Sequence, residues 1–116
     1  MNEKTSILDS EESLRIIKEI ELNPQITQRD LAQKLEISLG KINFFINALI
    51  DKGILEAKNF KNSKNKLGYM YLLTSRGIRI KVDLISKFLI WKTQEYSKLR
   101  REIALLRRES GEITGV

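Results

Sequence analysis

The chain of 116 residues contains no cysteine and no histidine. Disulfides, thiolate or imidazole metal sites, cysteine nucleophiles and Ser-His-Asp triads are thereby excluded, while a carboxylate-only site remains formally open. The acidic residues lie at helix starts and along the flanks of a long helix rather than as a paired constellation, so no catalytic residue, metal or cofactor is expected. No apolar leader segment opens the sequence. No uncharged run approaches the roughly 18 residues of a membrane span, since Lys87 and Lys92 interrupt the apolar stretch around Phe88 to Trp91. The expectation is a soluble cytoplasmic protein, not membrane-bound, whose 41% hydrophobic content is sufficient for one modest core.

What is present is positive charge, unevenly placed. Residues 1–36 carry 5 basic and 8 acidic side chains, residues 37–75 carry 6 and 2, and residues 76–116 carry 10 and 5. Positive charge begins where a short amphipathic run opens at Ser38. A solvated, solubilising surface is one reading of this pattern, and a nucleic-acid partner is the other.

Hydroxyl residues and breakers punctuate the first half. Asp9 or Ser10 can cap a first helix, with Glu11 and Glu12 favourable on its N-terminal dipole and Leu14, Ile16, Ile17 and Ile20 on its apolar side. Asn23-Pro24, holding the only proline, stops it. Thr27 opens a second helix in the pattern T-x-x-D, with Asp30 in place of the usual Glu of a capping box, and Leu31, Ala32 and Leu35 give it about two turns. After the tight connection Glu36-Ile37, Ser38 caps a third helix, in which Ile42, Phe45, Ile46, Leu49 and Ile50 follow the helical i, i+3, i+4 template up to a stop at Gly53. Two helices joined this closely match a helix-turn-helix.

The period then changes. Ile54 to Phe60 and Tyr69 to Thr74 read as strands joined by the turn-rich segment KNSKNKLG, a hairpin that completes the order of a winged helix. Thr74 or Ser75 caps a fourth helix. In it Ile78, Val82, Ile85, Leu89, Lys92, Tyr96, Leu99, Ile103 and Leu106 are spaced alternately four and three apart, a heptad seam broken only by Lys92. About 34 residues give about 50 Å of helix, more than a small body can cover, so a partner is expected. With Val82 at a, Glu95 and Glu102 fall at g, and Arg100 and Arg107 at e. A parallel homodimer pairs Glu95 with Arg100 and Glu102 with Arg107 of the other copy, whereas an antiparallel one opposes like charges. A second stripe, Ile80, Leu84, Phe88 and Trp91, is expected to pack the first half of this helix on the winged-helix body.

With Ile42 at the centre of the buried side of the third helix, the opposite face carries Gly40, Phe44, Asn47 and Asp51, flanked by Lys41, Asn43 and Ala48. Recognition helices use their N-terminal residues on base edges, so Ser38, Leu39, Gly40, Lys41, Asn43, Phe44 and Asn47 are the candidate DNA-reading set. Asparagine amides can bond adenine bidentately, Lys41 can reach guanine or a phosphate, Phe44 can touch a thymine methyl, and Gly40 permits close backbone approach. Each also has a plain structural reading, since Asn is common on exposed helices and Ser38 is sufficiently explained as a cap. The wing adds Lys58, Lys61, Asn62, Lys64, Asn65 and Lys66 in a stretch free of acids, suited to phosphates or a minor-groove excursion.

The stretch ITQRDLAQKLEISLGKINFFINALIDKGILEAKNFKNSKNKLGYMYLLTSRG, followed by a long heptad helix, resembles the small MarR-type winged-helix regulators associated with exopolysaccharide gene clusters. The segment LAQKLEIS is generic to winged helices, whereas SLGKINFFINALIDKG and NFKNSKNKLGYMYLLTSRG are more specific. The resemblance implies a bacterial transcriptional regulator of capsule or exopolysaccharide synthesis. Larger MarR-type proteins build their dimer domain from N- and C-terminal helices together and often hold a small effector there. Here about ten residues precede the first helix, so the C-terminal helix is expected to carry dimerisation almost alone, and no small-molecule effector pocket is expected.

The expected architecture is mainly α with a small β-hairpin: a winged helix-turn-helix DNA-binding domain over 9–75 and a C-terminal coiled-coil dimerisation helix over 76–109. The expected function is sequence-specific double-stranded DNA binding by a homodimer. The rival is a winged-helix protein-protein interaction module assembled through the coil.

Overall fold

The computed structural model describes residues 10–61, 64 and 67–111. Among the described residues, four helices and one hairpin follow in the order α1 (Glu11–Leu22), α2 (Gln28–Leu35), α3 (Leu39–Asp51), β1 (Leu55–Lys61), β2 (Leu67–Leu73) and α4 (Ser75–Ser110). This is a mostly helical winged helix-turn-helix with a long C-terminal helix.

The caps are local and match the sequence. The Ser10 hydroxyl accepts from the Ser13 N–H, Thr27 from Asp30 at 3.0 Å, Ser38 from Lys41 at 3.2 Å and Thr74 from Gly77 at 3.0 Å, each satisfying a donor that its helix leaves unpaired. Of the two alternatives for the first cap, Asp9 lies outside the described residues. The turn between α2 and α3 reverses at Glu36, whose φ of 56° is left-handed, and both Glu36 and Ile37 donate their N–H to the Ala32 carbonyl. After α3 the chain turns at Gly53, where φ is +72°.

The hairpin is longer than the strand-like composition suggests. Its antiparallel register runs from Leu55 opposite Leu73 to Lys61 opposite Leu67, so Lys61, Leu67 and Gly68 belong to the ladder while Ile54 and Thr74, read as strand from the sequence, fall just outside it. An exposed lysine carries no burial penalty in a strand, and Gly68 is occupied from across the ladder by the Phe60 ring.

One compact unit ends at Leu84 and a second begins at Ile85. In the first, the core joins Leu14, Ile16, Ile17 and Ile20 of α1 to Leu31 and Leu35 of α2, Ile42, Phe45, Ile46 and Leu49 of α3, and Ile54, Leu55 and Tyr71 of the hairpin. The start of α4 is tied to this body at Gly77, where a Cβ would lie 2.3 Å from the Ile54 carbonyl oxygen and 2.6 Å from a Leu73 methyl. Lys81 also pairs with Glu21 of α1. Along the second stripe Leu84 is buried and Ile80 half-buried. In the second unit Phe88 is half-buried and meets Trp91 edge-on at 5.2 Å, while Trp91 itself is exposed. The heptad side chains stand open, from 40% exposed at Ile103 to 65% at Leu89.

Candidate nucleic-acid interface

The Ser38 cap starts α3 with a surface free of acids for its first three turns. Leu39, Gly40, Lys41, Asn43, Phe44 and Asn47 are all exposed, as is Ser38. Nothing lies within 4 Å of the position a Gly40 Cβ would take, so the backbone there is open. Phe44 meets Phe45 edge-on at 6.4 Å and remains 48% exposed, which with Leu39 gives this surface two apolar projections. Ala48 departs from the wheel reading. It is buried rather than flanking the outer face, because core elements wrap α3 through more than the arc centred on Ile42. Ile50, expected in the core, is only half-buried.

The wing brings Lys58, Lys61 and Lys64 to the surface, while Asn62, Asn65 and Lys66 lie outside the described residues. The pleat separates the first two lysines. Successive strand residues point to opposite faces, so Lys61 shares a face with Leu55, Ala57, Tyr69 and Tyr71, and Lys58 shares the other with Phe60 and Met70. The Lys61 face is the one turned towards α3, for Ala57, Tyr69 and Tyr71 line a concavity of about 330 Å³ with Gln28, Asn43, Ile46, Asn47 and Ile50.

A chain of hydrogen bonds crosses this concavity. Asn47 Nδ2 donates to Asn43 Oδ1 at 3.2 Å, Asn43 Nδ2 to Gln28 Oε1 at 3.1 Å, and Gln28 Nε2 to the Tyr71 hydroxyl at 3.1 Å. Gln28, Tyr69 and Tyr71 were not among the residues singled out from sequence. The i, i+2 spacing of the two tyrosines is the signal that places both on one face of a strand, but only the register shows which face. Among the described residues no cluster of three or more His, Cys, Asp and Glu could hold a metal ion, and no helix is long and apolar enough to cross a membrane.

Residues 13–56, from α1 to the start of β1, match a winged helix-turn-helix DNA-binding family. No curated protein matches the chain in sequence. Among solved structures, apo MarR from E. coli superposes with a TM-score of 0.65 at 22% identity, covering 95% of this chain and 87% of that one. The transcriptional regulator TA0346 from Thermoplasma acidophilum gives 0.65 at 18% identity over 82% of this chain and 96% of that one. The transcriptional regulator BldR from Sulfolobus solfataricus gives 0.63 at 16% identity over 92% and 75%. The chain therefore shares its winged-helix fold with these proteins.

Proposed function

We propose that this chain is a homodimeric, sequence-specific transcriptional regulator of double-stranded DNA. The observation that carries the reading is the exposed face of α3, free of acids from Leu39 to Ile50, capped by Ser38 and lying inside the segment that matches a DNA-binding family, with a lysine-bearing wing following it. Two copies of this face, from Ser38 to Asn47, enter successive major grooves with half-sites about 34–36 Å apart, and the wings hold flanking phosphates. In this reading α3 supplies base contacts and Lys58, Lys61, Lys64 and Lys66 supply sequence-independent affinity.

Dimerisation uses the α4 seam of Ile78, Val82, Ile85, Leu89, Tyr96, Leu99, Ile103 and Leu106. Every one of these side chains is at least 40% exposed in a single chain, which leaves an apolar stripe, interrupted at Lys92, uncovered. The charge pattern favours the parallel orientation through Glu95 with Arg100 and Glu102 with Arg107 across the pair. Such exposed pairs contribute only about 0.2–1 kcal/mol each, so they select orientation rather than supply stability. Because the chain has no native cysteine, Leu99→Cys tests this directly. A parallel coil places residue 99 opposite itself and oxidises to a disulfide-linked dimer, and an antiparallel one does not. Control of exopolysaccharide or capsule genes follows from the resemblance of SLGKINFFINALIDKG and NFKNSKNKLGYMYLLTSRG to regulators of such clusters.

The test is selection from a random duplex library near 150 mM salt, with Lys61, Lys64 and Lys66 all changed to Glu in a parallel arm. An inverted repeat with one-turn spacing, lost in the triple variant, is the expected outcome. With roughly 6 to 10 phosphate contacts per dimer, affinity falls about 10³- to 10⁵-fold between 50 and 200 mM salt. No enriched motif would turn the reading towards a protein-interaction module.

A further inference from the structure

The geometry points to a positioning relay for base reading, in which Tyr71 and Gln28 hold the Asn43–Asn47 amide pair in the orientation that recognises adenine in the major groove. This inference rests on the DNA-binding reading above and assigns roles to two residues outside the recognition helix.

The relay has a fixed end. Tyr71 is buried, its backbone N–H donates to the Pro24 carbonyl at 2.9 Å, and its hydroxyl accepts from Gln28. Gln28 opens α2 immediately after the Thr27 cap, so its backbone is held as well. Its Oε1 receives Asn43 Nδ2, and Asn43 Oδ1 receives Asn47 Nδ2 from one turn further along α3. Every donor in the chain points the same way, towards Tyr71. Hydrogen bonds aligned in one direction reinforce one another, and reversing any one amide would set donor against donor or acceptor against acceptor.

The place of each residue in the relay determines what it offers outward, Asn47 being the end group held through a single bond. Asn43 is engaged through both ends of its amide. Asn47 spends one N–H inside the relay, so its amide retains its second N–H together with Oδ1. An acceptor beside a donor is the complement of the adenine edge, which presents the N6 amino group as donor and N7 as acceptor. The two asparagines lie on the exposed side of α3, and the relay reaches them from the hairpin strand across the concavity. Asn47 is thus the reading residue, and Asn43, Gln28 and Tyr71 are positioning residues.

The experiment measures per-position base preference by library selection for the wild type, Asn47→Ala, Tyr71→Phe, Gln28→Met and the Tyr71→Phe/Gln28→Met double variant. Each protein is also checked for thermal midpoint and for affinity to unselected duplex across salt. Wild type should require an A·T pair at one position of each half-site, with a preference in the range of about 5- to 150-fold set by one bidentate contact. Asn47→Ala should erase that preference. Tyr71→Phe and Gln28→Met should weaken it at that same position by several-fold, with little further loss in the double variant. Their salt dependence and affinity for unselected duplex should stay at wild-type values, which distinguishes lost positioning from lost folding. A wild-type motif left unchanged at that position by Tyr71→Phe and Gln28→Met overturns the relay alone. A wild type that enriches no motif overturns the parent reading and the relay with it.

Discussion

Gly77→Ala should destabilise the fold, although it replaces the poorest non-proline helix former with the best one inside a helix. The added methyl would sit 2.3 Å from the Ile54 carbonyl oxygen and 2.6 and 3.0 Å from Leu73 side-chain carbons. That carbonyl is not free to retreat, because it accepts from the Thr74 N–H at 3.0 Å, while the single hydroxyl proton of Thr74 goes chiefly to the neighbouring Gly53 carbonyl. Overpacking of this kind costs about 1–3 kcal/mol. Loosening the N–H bond adds about 1 kcal/mol. The propensity gain of alanine over glycine offsets about 1 kcal/mol. A net loss of about 1–3 kcal/mol results. Urea unfolding at a fixed chain concentration measures it, with the slope checked to show that the unfolded state is unchanged. Gly40→Ala is the internal control, since nothing lies within 4 Å of its Cβ position, and it should be neutral or stabilising by up to about 1 kcal/mol. Equal effects of the two substitutions, or a stabilised Gly77→Ala, would refute the close approach of α4 to the hairpin.

Three other perturbations test separate elements. Glu36→Gly should stabilise the first unit by about 0.5–1 kcal/mol, because a left-handed φ of 56° strains any residue with a Cβ by more than glycine adds in unfolded-state entropy; a destabilised variant in urea melts would disprove the strain. Lys92→Leu should tighten the dimer. Lys92 is 56% exposed, with Nζ 3.9 Å from the Glu95 carboxylate, and burying two leucines in its place is worth about 3 kcal/mol or more, roughly a hundredfold in Kd. An unchanged Kd in sedimentation equilibrium would exclude this seam as the interface. Ser38→Ala removes the hydroxyl that caps α3 and should cost about 1 kcal/mol in urea melts, with no loss if the cap were replaced by water.

The wing shows where charge reading and geometry part. Counting lysines finds a basic hairpin, and that inference concerns only composition. Whether those lysines act together depends on strand register, and the pairing of Lys61 with Leu67 sends Lys61 and Lys58 to opposite faces. A one-residue slip would exchange them. Lys58 therefore belongs to a different surface from the α3 concavity, although only two residues lie between it and Lys61 in the chain.

Caps, stops and periodicities were legible from the sequence alone because each is made by residues within a few positions of one another. The hydroxyls of Thr27 and Ser38 bond N–H groups three residues on, Gly53 turns on its own φ, and the heptads repeat along one helix. The order of elements, and with it the winged helix, follows from those local signals. Tertiary structure decided whatever joins distant segments: the burial of Ala48, the tight passage of Gly77 beneath Ile54, the face each wing lysine occupies, and the bond from Gln28 to Tyr71 across 43 residues of chain. No periodicity encodes a contact of that kind. It exists only once the core has fixed the distance between a strand and a helix, and the candidate reading surface is built from such contacts.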